Sequence, residues 1–197
     1  MSSLVVWMLI ITVGVCATIL SAAAQMPVMH MTMTGLISLV IALIAIRENR
    51  QLVESGASKN EIAASTARYM GLVWAWGAVA LFVTYNFILQ WKEWWHFFMA
   101  FAVLSVLCIF LANSIGRDEN AGKEDKTILT VGRYLTVAQL VGMMVTVAGL
   151  LIDGKMVRYQ TPRFTDWAAN NIFFFGALAL AAISFNALRA RDEVAKR

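Results

Sequence analysis

The chain has 197 residues, 60% of them hydrophobic and 14% charged, with a mean hydropathy of +0.69. Soluble domains average about half apolar and about a quarter charged, so this chain has too few charged groups to cover the surface of a soluble globule. A water-soluble enzyme or nucleic-acid binder is thereby excluded, and the composition calls for a lipid bilayer as solvent.

Crossing ~30 Å of hydrocarbon takes about 20 predominantly apolar residues. Six segments meet that requirement: 4–24, 28–46, 71–90, 95–115, 134–152 and 167–188. The sequence therefore predicts an all-α fold: a polytopic membrane protein, a bundle of six transmembrane helices arranged as three hairpins. It forms a single integral membrane domain over 1–197, with no room left for a soluble one. Continuous apolar runs such as 36–46 show none of the alternation that a transmembrane β-strand requires.

The first span ends in Ser21-Ala22-Ala23-Ala24, which resembles a small-residue cleavage site. Residues 2–6 lack the Lys or Arg of a secretory leader, so this span is expected to be retained as a membrane helix. Its Cys16, like Cys108 in the fourth span, reads as a small packing residue and not as part of a disulfide framework.

The entry to the second span is the most unusual stretch, with four of the eleven methionines and one of the two histidines within eight residues. Pro27 suits a first helical turn, where its missing N–H costs nothing. Starting there, Met26, Met29, His30 and Met33 share one helix face at i, i+3, i+4 and i+7. Thioether and imidazole donors suit Cu(I), and the absence of Cys or acidic residues in the cluster disfavours zinc. The same residues also serve as adaptable packing at a helix–helix contact. His96, at the start of the fourth span, lies on the same outer side as His30. Two such histidines are the minimum for a shared metal or a bis-His haem, and His96 equally suits an interfacial role beside Trp94 and Trp95.

The inner connections carry helix punctuation. Gly56 reads as a C-terminal cap, Ser58 with Glu61 as a capping box, and Asp118–Gly122 as a second stop, with Asp125 or Thr127 as the restart. The helices are thus expected to project beyond the membrane as a charged collar, whose alternating Arg and Glu read as a solvated surface. Arg68-Tyr69 and Arg133-Tyr134 open spans three and five, and Arg117-Asp118-Glu119 and Arg191-Asp192-Glu193 close spans four and six. This similarity fits either duplicated hairpins or selection for arginine at inner ends. Gly142 and Gly149 with Ala177, Ala181 and Ala182 offer small-residue stripes for close packing of the last two spans. Phe173, Phe174 and Phe175 read as lipid-facing or core groups. The outer segment 153–166 reads as a solvated connector or a docking surface.

With the N-terminus cytoplasmic, twelve of the sixteen Lys and Arg residues fall on inner segments, and only Lys92, Lys155, Arg158 and Arg163 on outer ones. Over short loops this bias places both termini in the cytoplasm of what reads as a bacterial inner (plasma) membrane. Trp91, Trp94, Trp95 and Trp167 then fall in the outer aromatic belt. The net charge of +4 is a topological signal, and no nucleic-acid partner is expected.

No Asp, Glu, Lys, Arg or His lies near the middle of a span, which disfavours a proton-coupled pump. Amides occur instead, among them Asn86, Asn113, Gln139, Asn170, Asn171 and Asn186, suited to hydrogen bonds between helices. No nucleophile elbow, zinc-protease motif, P-loop or Cys-x-x-Cys is present. The leading expectation is a non-enzymatic accessory or structural subunit of a membrane complex, or a helix-bundle homo-oligomer, with no obligatory cofactor. A small transporter or channel handling Cu(I) at Met26, Met29, His30, Met33 and His96 is the alternative. An oxidoreductase subunit holding haem or quinone between His30 and His96 is the third.

Overall fold

Gly56 and Ser58 set the first corner of the bundle. Gly56 has φ of +77°, in the left-handed region that favours glycine. Ala57 N donates to Leu52 O at 2.9 Å and Gly56 N to Val53 O at 3.2 Å, a Schellman pair that closes the preceding helix. Ser58 then caps the next helix. Its Oγ accepts from Glu61 N at 3.2 Å, while the Glu61 carboxylate accepts from Ser58 N at 2.7 Å. These are the stop and restart that the sequence predicts. Ser58→Ala should cost about 1 kcal/mol and Gly56→Ala roughly 1–2 kcal/mol, both read as a lower thermal midpoint. An unchanged midpoint in both variants would mean that packing alone defines this corner.

The computed structural model describes residues 12–14, 16–21, 24, 27–84, 86, 95–120, 126–152 and 164–196. The helices are α1 (Thr12–Ser21), α2 (Pro27–Glu54), α3 (Lys59–Val83), α4 (Trp95–Asn120), α5 (Lys126–Ile152) and α6 (Phe164–Ala195). Among the described residues there is no strand. α2 to α6 are long and apolar enough to cross a membrane. The remainder of the predicted first span, outside Thr12–Ser21, lies largely outside the described residues. So do the predicted stop over 121 and 122 and the candidate cap at 125, although α4 ends at Asn120 and α5 restarts at Lys126.

The helices outrun the apolar segments that predicted them. α2 has 28 residues, about 42 Å at 1.5 Å per residue, against ~30 Å of hydrocarbon. Apolar length defines a span, whereas the caps define the helix, and at the Gly56 corner the caps lie well beyond the apolar run.

Side-chain contacts fix the helix directions. Asn49 meets Thr66 near one end of α2 and Thr34 meets Trp76 near the other, so α2 and α3 are antiparallel. Ser105 meets Gly71 and Phe98 lies beside Phe82, which makes α3 and α4 a hairpin. Gln139 meets Ser184 and Arg133 meets Asp192, which makes α5 and α6 another. α2 and α6 run parallel, with Gly35 against Phe175 and Asn49 against Asn186.

The core belongs to α2, α3 and α6. Ile37, Ile41, Val73, Trp76, Leu180 and Ile183 form its centre. α4 packs chiefly on α3 and α5 chiefly on α6, while α4 and α5 are not a packed pair. The apolar stretch of α3 is 56% buried and that of α5 only 6%, so α5 is a rim helix.

Close approaches occur where the smallest residues meet rings or backbone. A Cβ on Gly77 would lie 2.8 Å from the Phe101 ring, one on Gly35 2.8 Å from Phe175, and one on Gly71 3.2 Å from the Ser105 carbonyl. The predicted small-residue stripes are only half realised. Ala177 and Ala181 are buried, but a Cβ on Gly142 or Gly149 would meet nothing within 4 Å, because both face away from α6.

Candidate functional site

Of the predicted Met–His cluster, α2 does begin at Pro27. Met29 is exposed and Met33 half-buried, one turn apart on α2. Met26 and the side chain of His30 lie outside the described residues. His96 is exposed on α4, its ring centroid 4.3 Å from that of Trp95, as an interfacial pair would be. α2 and α4 are not a packed pair, and α3 packs against both. Among the described residues, no three His, Cys, Asp or Glu groups are placed to hold a metal ion together. The soft-metal reading therefore rests on the α2 face that carries Met29 and Met33. The predicted packing cysteines are free thiols: Cys108 is half-buried against the core and Cys16 is exposed.

The densest polar chemistry lies at the other end of α2, in the stretch that reads from sequence as a solvated collar. Arg47 and Arg50 are exposed as expected, but Glu48 is half-buried and Asn49 fully buried. The Glu48 carboxylate accepts from Ser65 Oγ at 3.1 Å and also from the Tyr69 hydroxyl. Asn49 Nδ2 donates to Thr66 Oγ1 at 3.2 Å and to Asn186 Oδ1 at 3.3 Å. Two adjacent residues of α2 thus tie it to both α3 and α6. Asn49 Oδ1 and Asn60 Oδ1 are buried without a hydrogen-bond partner. A signal for Asn49 was present in the sequence. Ile41, Ala45, Asn49 and Val53 recur every fourth residue, so the buried stripe of α2 runs straight through the collar.

Further hydrogen bonds join the helices nearer the bundle centre. Trp76 Nε1 donates to the Thr34 carbonyl at 3.0 Å, and Ser105 Oγ donates to the Gly71 carbonyl at 2.9 Å. Gln139 Nε2 donates to Ser184 Oγ at 3.2 Å. The amides Gln139 and Asn186 therefore do link helices as predicted, whereas Asn86 bonds back to its own helix at Phe82 O, 2.8 Å, and Asn113 is exposed. The two Arg-Tyr pairs have different surroundings: Tyr69 bonds Glu48 in the polar seam that Glu48 and Asn49 form with α3 and α6, but Tyr134 is 72% exposed.

Among the described residues, several spaces adjoin this framework. A cavity of about 210 Å³ lies beyond the seam, lined by aromatic groups including Trp74, Trp76, Phe101 and Phe173. Phe101 and Phe173 meet edge to face with centroids 5.6 Å apart, so Phe173 is a wall of this cavity, while Phe175 lies against Gly35. A cleft of about 410 Å³ separates α4 from α5, floored by α3 and α6. A groove of about 510 Å³ between α2 and α6 carries Arg50, Glu54, Arg189 and Glu193. Its charges pair within each helix, at 2.9 Å for Arg50–Glu54 and 2.9 Å for Arg189–Glu193, on exposed surface where such pairs contribute little.

The seam is well suited to locking helices together, because its donors and acceptors are largely committed to one another. The cleft is suited to receiving an apolar group, since its walls belong to helices that do not close on each other. No protein-family model, curated protein or solved structure matches this chain.

Proposed function

We propose that this chain is an integral protein of a bacterial inner membrane, with six spans and both termini cytoplasmic. In this reading it serves as a non-catalytic subunit, either in a larger membrane complex or in an assembly of its own copies. The sorting of basic residues toward one side supports the orientation. The observation that carries the subunit reading is the state of α5. Its apolar stretch is 6% buried within the chain, yet it keeps Gly142 and Gly149 a heptad apart, with nothing within 4 Å of either.

Glycine costs a helix about 1 kcal/mol relative to alanine. Lipid tails would solvate alanine or leucine at those positions equally well. Small residues on one face of a membrane helix allow a second helix to approach closely, and van der Waals packing is what drives association in lipid. The committed polar seam agrees with a structural role, because it spends its hydrogen bonds on holding α2, α3 and α6.

Native mass spectrometry of the full chain from mild detergent tests the reading. The expected species is heavier than the 21.8 kDa chain, as an oligomer or with a stoichiometric partner. Gly142→Leu/Gly149→Leu should shift it to the single chain. A wild-type protein that flies only as a monomer, with no co-purifying partner, would overturn the subunit reading.

A further inference from the structure

We propose that the aromatic cavity beyond the seam binds one neutral aromatic molecule of one or two fused rings. The inference goes beyond the subunit reading and does not depend on it.

The cavity lies inside the bundle. Each of α2 to α6 supplies part of its wall, from Thr34 and Ser38 on α2 to Met143 and Thr146 on α5. Its volume of about 210 Å³ exceeds the ~150 Å³ of an apolar protein cavity that takes up benzene. That leaves room for a second fused ring. Entry is open between α4 and α5, which do not pack together although Phe101 of the one and Met143 of the other both line the space.

Gly176 keeps the space open. It lines the cavity, yet a Cβ there would meet nothing within 4 Å. Alanine is the better helix former, so the glycine weakens α6 without serving a close approach within the chain. Gly77, on the opposite wall, is matched instead to the Phe101 ring at 2.8 Å. What Gly176 leaves is room that no group of the chain takes up.

The walls select the class of occupant. Trp74 meets the Phe101 ring at 74° with centroids 4.8 Å apart, and Phe173 meets it at 88°. Rings held edge to face in this way form a fixed frame that a further ring can join in the same geometry. The polar groups of the wall are spent within the protein. Trp76 Nε1 and Ser38 Oγ both donate to the Thr34 carbonyl, and Thr146 Oγ1 donates to the Gly142 carbonyl at 2.9 Å. No Asp, Glu, Lys, Arg or His is among the described lining residues, in contrast to the larger cleft, which ends at Arg191. A charged occupant would be buried unpaired, and a strongly polar one would give up its hydrogen bonds to water for little in return. An acyl tail would suit the apolar walls, but it would lose the freedom of several rotatable bonds and gain no ring contacts. A fused ring is rigid before it binds.

The test is fluorine NMR of the full chain in mild detergent, with fluoronaphthalene as the probe. Wild type should give a saturable, protein-dependent change in the probe signal, over and above partition into micelles. At matched micellar concentrations naphthalene should displace the probe roughly threefold better than decalin, its saturated counterpart, because edge-to-face ring contacts add at least that factor to area burial. Phe173→Leu keeps the wall apolar but removes one ring, and should narrow that preference. Gly176→Leu puts a side chain into the open room and should abolish the saturable signal. Thr146→Trp should abolish it too, filling the space from the rim helix without touching the core. No saturable signal in wild type would overturn the proposal. So would a signal that survives in both filled variants, or an aromatic preference that Phe173→Leu leaves unchanged. Displacement by decalin or by phospholipid as effective as that by naphthalene would also overturn it, and would make the cavity a seat for lipid tails.

Discussion

Gly77→Ala should destabilise the bundle, although alanine is the better helix former by about 1 kcal/mol. The added methyl would sit 2.8 Å from the Phe101 ring, so the ring must move. It has little freedom to do so. Trp74 meets it edge-on with centroids 4.8 Å apart, and Phe173 meets it with centroids 5.6 Å apart. Overpacking of this kind costs about 1–3 kcal/mol. A net loss of roughly 1 kcal/mol is expected for alanine, and a larger one for valine, whose branched side chain adds bulk at the same point.

The same exchange at Gly176 should have the opposite sign. A Cβ there meets nothing within 4 Å, so Gly176→Ala should gain roughly 0.5–1 kcal/mol from helix propensity alone. Thermal denaturation in detergent reads both, at about 2–4 °C per kcal/mol for a chain of this size. Adding Phe101→Leu to Gly77→Ala should recover part of the loss. If Gly77→Ala and Gly176→Ala shift the midpoint alike, the close packing of α3 on α4 is not what holds this hairpin.

The second large effect is expected at Glu48. Glu48→Leu removes the acceptor for both the Ser65 and Tyr69 hydroxyls in a half-buried setting. Hydrogen bonds to charged groups contribute about 1.5–3 kcal/mol, and stranding their donors adds to the loss. Removing a charge from a half-buried site offsets part of this, so a net cost of about 2 kcal/mol is expected. Glu48→Gln keeps one carbonyl acceptor and should lose less. Tyr69→Phe alone should be mild, and the double variant Glu48→Leu/Tyr69→Phe should fall short of additivity by about 1 kcal/mol, since the two side chains share one bond. Strict additivity would show that Glu48 acts through solvent and not through the seam. Asn49→Leu provides a second measure of the seam. Its two interhelical bonds join neutral groups, which contribute about 0.5–1.5 kcal/mol each against about 1.5–3 kcal/mol for bonds to a charged group, so the loss should be smaller than at Glu48.

What was legible in the sequence was carried by length and by local chemistry. Uninterrupted apolar runs of about 20 residues point to helices because only helices and closed barrels satisfy the backbone in hydrocarbon. The corner at Gly56 and Ser58 was readable because each cap is made within a few residues of chain. Pro27 opening α2 and the interhelical bonding of Gln139 and Asn186 were readable for similar reasons of residue type.

The assignment of helices to core or rim was not legible. In water, an amphipathic stripe shows which face of a helix is buried. Helices apolar and long enough to cross a membrane, as these are, carry apolar groups on every face, so that stripe disappears. Nothing in the apolar pattern distinguishes α3, at the centre, from α5, at the edge. Gly142 and Gly149 looked like packing positions within the chain, and they turned out to face outward. Gly35, Gly71 and Gly77 do sit at crossings, and each is marked only by the ring or carbonyl opposite it.

Nor did residue type reveal the seam. Glu48 and Asn49 sit between Arg47 and Arg50, and charge alternation alone reads all four as solvated. Their burial depends on α3 and α6 passing within hydrogen-bonding distance on one side of α2. The cleft likewise has no sequence signature, because its walls come from Leu104 and Leu135 on helices that avoid each other, and its cation comes from a third.

The sequence by itself determined the helices, the corner at Gly56 and the sorting of basic residues, because transfer of apolar groups, backbone capping and charge placement all act locally along the chain. The tertiary structure alone decided that α2, α3 and α6 form the core, that Glu48 faces inward beside Asn49, and that a cleft ending at Arg191 stays open. Those outcomes depend on which faces of uniformly apolar helices meet, and that is settled by close packing and interhelical hydrogen bonds between residues far apart in the chain.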